Sequence, residues 1–412
     1  MPTRISADWL LTGNGDVIPL GAVLIDDRGR LLAVGPDDTV PAGPSIPSEN
    51  FPGSILTPGL VNAHTHLELT GFEGMAPETE FADWIRTIIR LKAGRSPADF
   101  LQASIAGLHQ SFASGVTTVA DTGDSGAPAE ALALLGGSGI TYLEVFGPDP
   151  SQVAASLEGL KSRIASLQPF HSDRVRIGVS PHAPYSVSGP LYRAVSAFAE
   201  EAGLPIAVHV AESAAESDLL MSGTGPFAEN WRSRGIPLPA LGVTPIQWLE
   251  EHGVLGARTL CIHVVRADAT DIARLKAHRC GVAHCPRSNA RHGHGRAPLR
   301  SLLDAAIRVG VGTDSAVSVS PPDLLAEARA ARALAGLDPA ASLRLVMLGA
   351  ASALGLEGEI GSLEPGKWAD LAVFQLTPST GNDHLLEAVL QGGSRGVNAT
   401  FIGGRAVYRR KR

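Results

Sequence analysis

The residues with the clearest chemical potential are histidines that end short apolar runs. His64 and His66 follow the run 59–63 with one residue between them, so both imidazoles point to the same side of an extended strand. One histidine alone is weak evidence for a metal site, because most histidines are ordinary core or surface residues. Here the placement recurs along the chain. The polar residues that end apolar runs in this way are His64, His66, His182, His209, His263 and Asp314.

This joint placement predicts a metal centre. Imidazole nitrogens combined with one carboxylate suit Zn²⁺ or Fe²⁺, whereas Mg²⁺ prefers oxygen ligands and water. The sequence therefore predicts a divalent ion, zinc or iron, as the cofactor.

The middle of the chain alternates apolar, β-branched runs with amphipathic segments rich in Ala and Leu. The runs start near Ile55, Val116, Ile140, Val175, Ile206, Leu260, Val282 and Val309. Eight such repeats over about 300 residues are typical of an α/β fold of the (β/α)8 TIM-barrel type, with its active site at the carboxyl ends of the strands. An open doubly wound sheet is the alternative, but no Gly-rich phosphate loop follows any of the runs.

Both chain ends look different from this middle. Short strands separated by turns are predicted at 7–12, 22–26 and 31–35, and again at 370–375, 397–402 and 406–409. We therefore expect a small β-sandwich formed by residues 1–56 and 359–412, with a hydrolase barrel over residues 57–358.

Composition excludes several classes of protein. The 412 residues are 44% hydrophobic and 18% charged, as in a globular protein with a large core. The net charge is -7, and basic residues cluster only at 409–412, which we expect to be a solvated end, so nucleic acid and membranes are poor candidates as partners. Three cysteines and no signal-peptide pattern favour the cytoplasm.

Several segments resemble the amidohydrolase superfamily. TPGLVNAHTH at 57–66 resembles its opening metal motif, while HVAE at 209–212 and GTDS at 312–315 resemble its cytosine/adenosine-deaminase-like branch, which includes the triazine hydrolases. GSLEPGKWADL at 361–371 is similar to the stretch that leads these enzymes back to their small β domain. The resemblance spans essentially the whole chain in the expected order.

The resemblance implies one metal ion held by His64, His66, His209 and Asp314. His263 would then orient the attacking water as a catalytic residue without being a primary ligand. The binuclear branch of the superfamily uses a carboxylated lysine at the end of strand four, where this chain has Ser180-Pro181-His182. A binuclear site is therefore not expected.

The implied reaction is a hydrolytic deamination. A bound Zn²⁺ or Fe²⁺ lowers the pKa of its water, so that metal-bound hydroxide attacks a purine C6 near pH 7. Glu212, three residues after His209, would shuttle protons from the water to the ring nitrogen, and Asp314 would also accept a proton. The alternative for Glu212 is a helix N-terminal acid favoured by the helix dipole.

Finer resemblances point to a substrate. HTHLEL at 64–69, FADWI at 81–85, YLEVFG at 142–147, SPHAPYSVS at 180–188 and HCPRSN at 284–289 together look like aminodeoxyfutalosine deaminases. This resemblance implies conversion of 6-amino-6-deoxyfutalosine to futalosine and ammonia in menaquinone biosynthesis. Several of the segments are shared with S-adenosylhomocysteine/methylthioadenosine deaminases, which stay open as an alternative.

A purine nucleoside needs a stacking face, a ring partner and polar groups for its ribose. We expect Trp84 to stack, His182 to hydrogen-bond the purine and Glu68 to bind the ribose hydroxyls. Arg287 or Arg86 would bind a terminal carboxylate. The alternative for Trp84 is a core position on the amphipathic helix 81–91.

Other functions remain open from the sequence. A deaminase of another nucleobase, or a triazine chlorohydrolase or aminohydrolase, could use the same metal and Glu212. A metal-binding scaffold without turnover is the alternative from another class, but a structural zinc site is closed and needs no Glu212. A homodimer is expected from the resemblance alone.

Two further groups are predicted to be bystanders. His292 and His294 imitate a second His-x-His pair, but they follow strand seven among arginines and are expected at the surface or in a lid. Cys261, Cys280 and Cys285 are expected to be packing residues.

Overall fold

The computed structural model describes residues 1–238, 242–377, 381 and 384–411. Arg412, the last residue of the predicted solvated end, lies outside this range, and Arg409, Arg410 and Lys411 before it are exposed. The strands are β1 (Thr3–Leu11), β2 (Val17–Ile25), β3 (Leu31–Pro36), β4 (Ser48–Pro58), β5 (Leu60–Thr65), β6 (Val116–Gly123), β7 (Ser138–Val145), β8 (Val175–Pro181), β9 (Ile206–Val210), β10 (Thr259–His263), β11 (Gly281–His284), β12 (Arg308–Val311), β13 (Leu371–Gln375), β14 (Val397–Ile402) and β15 (Arg405–Arg409).

Helices fill the connections between the strands of the barrel and extend beyond it. They are α1 (Phe81–Ala93), α2 (Pro97–Ala113), α3 (Ala127–Leu135), α4 (Val153–Leu167), α5 (Gly189–Glu201), α6 (Ala214–Ser222), α7 (Gly225–Ser233), α8 (Pro245–Glu251), α9 (Ala269–Ala277), α10 (Pro286–Arg291), α11 (Leu299–Asp304), α12 (Leu324–Ala335), α13 (Pro339–Arg344), α14 (Leu348–Ala353) and α15 (Leu385–Gly392).

The barrel is an eight-stranded parallel sheet in the chain order β5 to β12. A parallel bridge between Thr65 and Asp314 brings the two edge strands together, and the Asp314 backbone N–H donates to the His64 carbonyl oxygen at 3.0 Å. The predicted (β/α)8 fold is confirmed. This closure places the carboxyl ends of the first and last strands side by side.

The second sheet contains strands from both chain ends, in the order β15-β14-β13-β4-β1-β2-β3. It is antiparallel except where β1 runs parallel to β4. The contact between the two ends is the antiparallel pair β4 and β13, from Ser54 opposite Gln375 to Pro58 opposite Leu371. The predicted second sheet from both termini is therefore present.

The apolar run near Ile55 was predicted to be a single barrel strand. In the structure it contributes to both sheets. β4 ends at Pro58 and β5 begins at Leu60, with Gly59 between them. A Cβ on Gly59 would lie 2.3 Å from the Thr117 side chain, so only glycine fits where the chain passes from one sheet to the other.

Alternate residues of the barrel strands pack in different clusters. Val61, Ala63 and Ala207 belong to one buried cluster, and Leu60 and Val208 to another, as expected for side chains that alternate between the two faces of a strand. None of the described helices is both long and apolar enough to span a membrane.

Candidate metal centre and active site

Three histidines from two barrel strands converge where the strands end. The His64 ring lies 4.8 Å from the His66 ring and 5.0 Å from the His209 ring, centroid to centroid, and the His66 and His209 rings stack at 5.4 Å. His64 is fully buried, and His209 is nearly so. Burial and the neighbouring histidines lower the pKa of all three, that of His66 to about 3. The rings are therefore neutral at pH 7, with lone pairs available to a metal.

Asp314 completes this cluster from the last strand. Its Oδ1 lies 3.5 Å from His64 Nε2 and 3.6 Å from His66 Nε2. The Ser288 hydroxyl donates to Asp314 Oδ2 at 2.5 Å, and the Ser315 N–H donates to Oδ1 at 2.7 Å. The Asp314 backbone has φ 58°, a left-handed conformation that is uncommon for a non-glycine residue and often marks a functional site.

This cluster fits a divalent metal ion. Neither ring nitrogen of the buried His64 has a hydrogen-bond partner within the described residues. Two triads share His64, namely His64, His66 and Asp314, and His64, His209 and His263, and in each triad the ligand atoms lie within 4.8 Å of one another. Ligands about 2.0–2.1 Å from a tetrahedral zinc ion would be about 3.3 Å apart, close to the separations from Asp314.

Glu212 lies beside the cluster, between two more histidines. Its Oε1 is 3.5 Å from His263 Nε2 and 3.3 Å from His294 Nε2, and its side chain is 5% exposed. Burial by itself raises the pKa of Glu212, but His263 and His294 outweigh burial and lower it to about 2. Glu212 is thus a carboxylate at neutral pH, ready to accept a proton.

A second glutamate holds the backbone of this loop. Glu216 is fully buried, and its carboxyl oxygens accept the N–H groups of Ala211 and Glu212 at 2.8 Å each. Ala211 has φ 51°, so the turn after His209 is strained and needs such support. Burial raises the pKa of Glu216 to about 8.

His263 is oriented by an amide on its other side. Its Nδ1 lies 2.9 Å from Asn289 Oδ1 on α10, and its own backbone has φ 72°. A carbonyl oxygen accepts only from a protonated nitrogen, so Nδ1 carries the proton and Nε2 faces Glu212.

The cluster lies at the bottom of a large cavity of about 1160 Å³, here termed the main cavity. Its floor consists of His66, His182, His209, Glu212, His263 and Asp314. Its rim consists of α1, with Phe81, Trp84, Ile85 and Ile89, together with Phe146, Phe227 and Arg234. Ile89 is 61% and Phe146 41% exposed, so the entrance is apolar.

Of the predicted substrate contacts, His182, Trp84 and Arg86 line this cavity. His182 lies 4.9 Å from the His209 ring, and Ser186 Oγ is 2.7 Å from its Nδ1. Trp84 lies over Phe81 at 5.9 Å and meets His292 at 4.7 Å, with its buried Nε1 unpaired among the described residues. Trp84 also packs on the cluster around Leu69 and Ile88, so it both lines the cavity and contributes to the core.

The structure does not bring Glu68 and Arg287 into the lining of the main cavity. Glu68 Oε1 accepts from Lys92 Nζ at 2.5 Å, while Oε2 accepts from the backbone N–H and the hydroxyl of Ser125. Arg287 lies 3.5 Å from the fully buried Glu327, which is an internal partner. Both side chains are occupied by neighbours that the sequence pattern did not reveal.

His292 and His294, predicted at the surface or in a lid, do not lie at the surface. Both are buried, at 9% and 6% exposure, and His294 contacts Glu212. Phe81 covers them, with its ring 5.5 Å from His292 and 4.5 Å from His294. Helix α1 folds over this loop, which turns two apparently solvated histidines into parts of the site. The three cysteines are buried and unpaired as disulfides, as predicted.

Sequence reasoning missed two further groups. Glu144 near the end of β7 is buried at 3% exposure and lines the cavity. Its Oε1 lies 4.0 Å from His182 Nε2 and has no hydrogen-bond partner among the described residues. The available signal was the position of Glu144 at the end of the third barrel strand, which matches the positions of the predicted site residues. Lys92 lines the cavity and pairs with Glu68 and Asp124, and its spacing of four from Ile88 and eight from Trp84 on α1 was the available signal.

Comparisons with known proteins agree with this fold and site. The model of the Amidohydrolase family matches residues 55–407. The 5-methylthioadenosine/S-adenosylhomocysteine deaminase of Symbiobacterium thermophilum is 31% identical over 97% of this chain and 91% of its own length. The aminodeoxyfutalosine deaminase of Deinococcus radiodurans is 31% identical over 85% of both chains. The chain therefore belongs to the amidohydrolase family.

A solved structure has a fold similar to that of this chain. A Xanthomonas campestris adenosine deaminase with bound zinc has a TM-score of 0.86, with 25% identity over 98% of this chain and 92% of its own. Family membership and these relatives make the chain an enzyme, a hydrolytic deaminase that acts on carbon–nitrogen bonds.

Proposed function

We propose that this enzyme deaminates an adenine nucleoside that carries a large 5′ substituent, with 6-amino-6-deoxyfutalosine as the first candidate. The observation that carries the proposal is the buried Glu212 carboxylate, placed between His263 and His294 beside the cluster of histidines and Asp314. Relatives named for adenine nucleosides support the purine class.

His64, His66, His209 and Asp314 would hold one zinc or ferrous ion. When bound, this ion activates water as a nucleophile near neutral pH and polarises the reacting carbon. The lowered pKa values of the three histidines, which leave one nitrogen of each ring unprotonated, support this ligand set.

Glu212 performs the proton transfers. Its Oε1 takes a proton from the attacking water and delivers it to the ring nitrogen next to the amino-bearing carbon. The remaining proton of the attacking oxygen then passes through Glu212 to the departing amine, which leaves as ammonia, and Glu212 returns to its carboxylate form. Nε2 of His263, held towards Glu212 by Asn289, orients the water during these steps.

The purine would lie between the floor and Trp84. His182 and Glu144 face the cavity from neighbouring strand ends and offer hydrogen bonds to the nucleoside. Burial raises the pKa of Glu144 to about 8, so it offers a carboxylic acid O–H at neutral pH. This geometry supports recognition by both donor and acceptor groups.

The volume and rim of the cavity support a bulky 5′ group. Pockets for small molecules usually measure about 300–1000 Å³, and this one exceeds that range. The exposed apolar residues Ile89 and Phe146 at the rim suit an aryl substituent better than a zwitterionic amino-acid tail.

Arg234 is the cation best placed for a terminal carboxylate. Of the other basic residues in the cavity wall, Arg86 pairs with Asp83, Lys92 with Glu68 and Asp124, and Arg95 with backbone carbonyls of Glu68 and Thr70. Arg234 also lines the wall, and its electrostatic neighbour among the described residues is Asp149, at longer range than an ion pair. We therefore propose that Arg234, and not Arg287, binds the terminal carboxylate of the substrate.

The test is ammonia release by the metal-loaded enzyme. The panel is 6-amino-6-deoxyfutalosine, adenosine, S-adenosylhomocysteine, methylthioadenosine, guanine and cytosine, with Glu212→Gln as the inactive control. We expect selective turnover of the first compound and a loss of about a hundredfold or more in Glu212→Gln. Preference for S-adenosylhomocysteine or methylthioadenosine would move the enzyme to the second candidate function, and silence on all six would remove the purine proposal.

Arg234→Gln tests the carboxylate contact separately. We expect KM for 6-amino-6-deoxyfutalosine to rise about tenfold, as for loss of a charge-assisted hydrogen bond, with methylthioadenosine turnover unchanged. Arg193→Gln, on the exposed side of α5, is the matched control.

A further inference from the structure

A second cavity of about 350 Å³ lies beside the main cavity. This side cavity is lined by Ser217 and Met221 of α6, by Thr244 and Pro245 at the start of α8, by residues 265–268, and by His294, Gly295 and Arg296. Its lining includes the exposed residues Met221, Arg266 and Arg296, so it opens to solvent. The main cavity is lined by Glu212 and not by His294.

His294 therefore contacts Glu212 and also lines the side cavity. Its Nε2 is 3.3 Å from Glu212 Oε1, and no other partner for that nitrogen occurs in the described residues. The edge-on contact with Phe81 at 4.5 Å and the stacking of His292 at 5.4 Å fix the ring. The flanking Gly293 and Gly295 have φ 67° and 112°, which lets the loop turn the side chain inward.

His263, the other histidine beside Glu212, does not lead to solvent through its second ring nitrogen. Nδ1 of His263 is bound to Asn289 Oδ1 at 2.9 Å, and an amide oxygen does not pass a proton onward. A nucleoside in the main cavity would also separate Glu212 from the solvent there. In the occupied enzyme, His294 is then the titratable neighbour that links Glu212 to water.

We infer that His294 is a positioning and proton-relay residue, which connects the Glu212 carboxyl group to solvent in the side cavity while substrate fills the main cavity. The inference rests on the role of Glu212 in the proposed function. In the outward direction the Glu212 O–H bond breaks as a proton binds His294 Nε2, and the imidazolium releases its Nδ1 proton to water. The inward direction reverses these steps and, once per turnover, brings in the proton that converts the released ammonia to ammonium, so no oxidant or further reactant is needed.

Two substitutions separate relay from simple positioning. His294→Gln keeps a hydrogen-bond donor beside Glu212 but cannot carry a proton through its side chain, whereas His294→Ala leaves a space continuous with the side cavity. We expect kcat to fall at least tenfold in both variants, with KM and bound metal close to those of the wild type. A His294→Gln variant with wild-type kcat would overturn the relay and leave His294 a positional role only.

Chemical rescue is the sharper readout. Imidazole added to His294→Ala can enter the side cavity, and we expect it to restore kcat to within about threefold of the wild type in a saturable manner. His294→Gln, in which the side chain fills the space, and the wild type should not respond. Absence of rescue in a folded, metal-loaded His294→Ala enzyme counts against the relay.

A measurement without turnover separates this inference from the proposed function. In protein with ¹⁵N-labelled histidine rings, assigned by comparison with His294→Gln, the Glu212→Gln substitution should move the His294 Nε2 resonance. If no adenine nucleoside is turned over but this resonance moves, the contact stands and the proposed substrate class is wrong. An unmoved resonance overturns the pairing itself, whatever the substrate.

Discussion

The floor and the rim of the main cavity hold their side chains in different ways. On the floor, His209, His263 and Asp314 lie at the carboxyl ends of strands of one closed parallel sheet and are at most 7% exposed. On the rim, Trp84 and Ile89 lie on a helix that packs over the barrel end, and Phe146 is 41% exposed. Floor positions follow from strand order and register, while rim positions depend on how helices and loops dock.

This difference explains where buried charge accumulates. The floor combines histidines with two carboxylates whose pKa values the neighbouring histidines lower against the effect of burial. Towards the rim, Lys92 neutralises Glu68 and Asp124, and these carboxylates raise its pKa against burial. The floor residues are therefore suited to binding a metal ion and exchanging protons, whereas the charged groups near the rim neutralise one another.

The largest expected effect is on the floor. His209→Ala removes one donor of the metal cluster, so bound metal should be lost and activity should fall about a thousandfold or more, because the ion contributes several kcal/mol to the reaction. Metal content by mass spectrometry and ammonia release measure this. His109→Ala, on the exposed face of α2, should change neither, and a fully metallated, active His209→Ala enzyme would remove this residue from the ligand set.

The second effect tests the charges near the rim. Lys92→Met leaves Glu68 and Asp124 without their shared cation, and breaking such a pair should lower the free energy of unfolding by about 3 kcal/mol. Denaturant unfolding measures the loss, which Lys92→Met combined with Glu68→Gln should partly recover. Lys161→Met on the exposed side of α4 is the control, and an equal loss there would show that no paired charge is involved.

The third effect separates support of the floor from its chemistry. Glu216→Gln replaces one acceptor oxygen with an NH₂ group, which cannot accept the N–H of Ala211 or Glu212. We expect kcat to fall about 10–100-fold, as for other residues that orient a catalytic group, with KM little changed. Glu229→Gln, on the exposed side of α7, should change neither kcat nor KM. A change confined to KM in Glu216→Gln would contradict the supporting role of Glu216.

The same substitution has a pH signature. The pKa of Glu216 is about 8 in the folded protein and 4.5 as a free side chain, so between these values the native state keeps a proton that the unfolded state releases. This contribution to stability is fully present below pH 4.5 and is lost as pH rises through about 8. From pH 6 to 7.5 the wild type should lose about 2 kcal/mol relative to Glu216→Gln. A constant difference between the unfolding free energies of the wild type and Glu216→Gln across this pH range would contradict the raised pKa of Glu216.

The smallest effect is expected at the rim. Trp84→Ala removes a ring that faces the cavity, and loss of one stacking contact should raise KM about tenfold with kcat nearly unchanged. Trp84→Phe, which keeps an aromatic face but not the indole N–H, separates stacking from hydrogen bonding. Unaltered Michaelis constants in both variants would make Trp84 a packing residue of the cluster around Leu69 and Ile88.

The sequence by itself determined the barrel, the second sheet and the location of the floor residues. A period of two within strands, eight strand–helix repeats and polar residues at strand ends are local patterns, and a closed parallel sheet turns those ends into one site. The convergence of His64, His66, His209, Glu212 and Asp314 follows from strand order and barrel closure, because all strands of a closed parallel sheet have their carboxyl ends at the same end of the barrel.

Only the tertiary structure decided which side chains partner one another around that site. Glu68 turns to Lys92, Arg287 turns to Glu327, and Phe81 buries His292 and His294, each across many residues of sequence. Such contacts depend on helix docking and loop conformation, and they leave no periodic signal. His294 shows the consequence most clearly, since only the packing of α1 over the loop after α10 makes it a neighbour of Glu212.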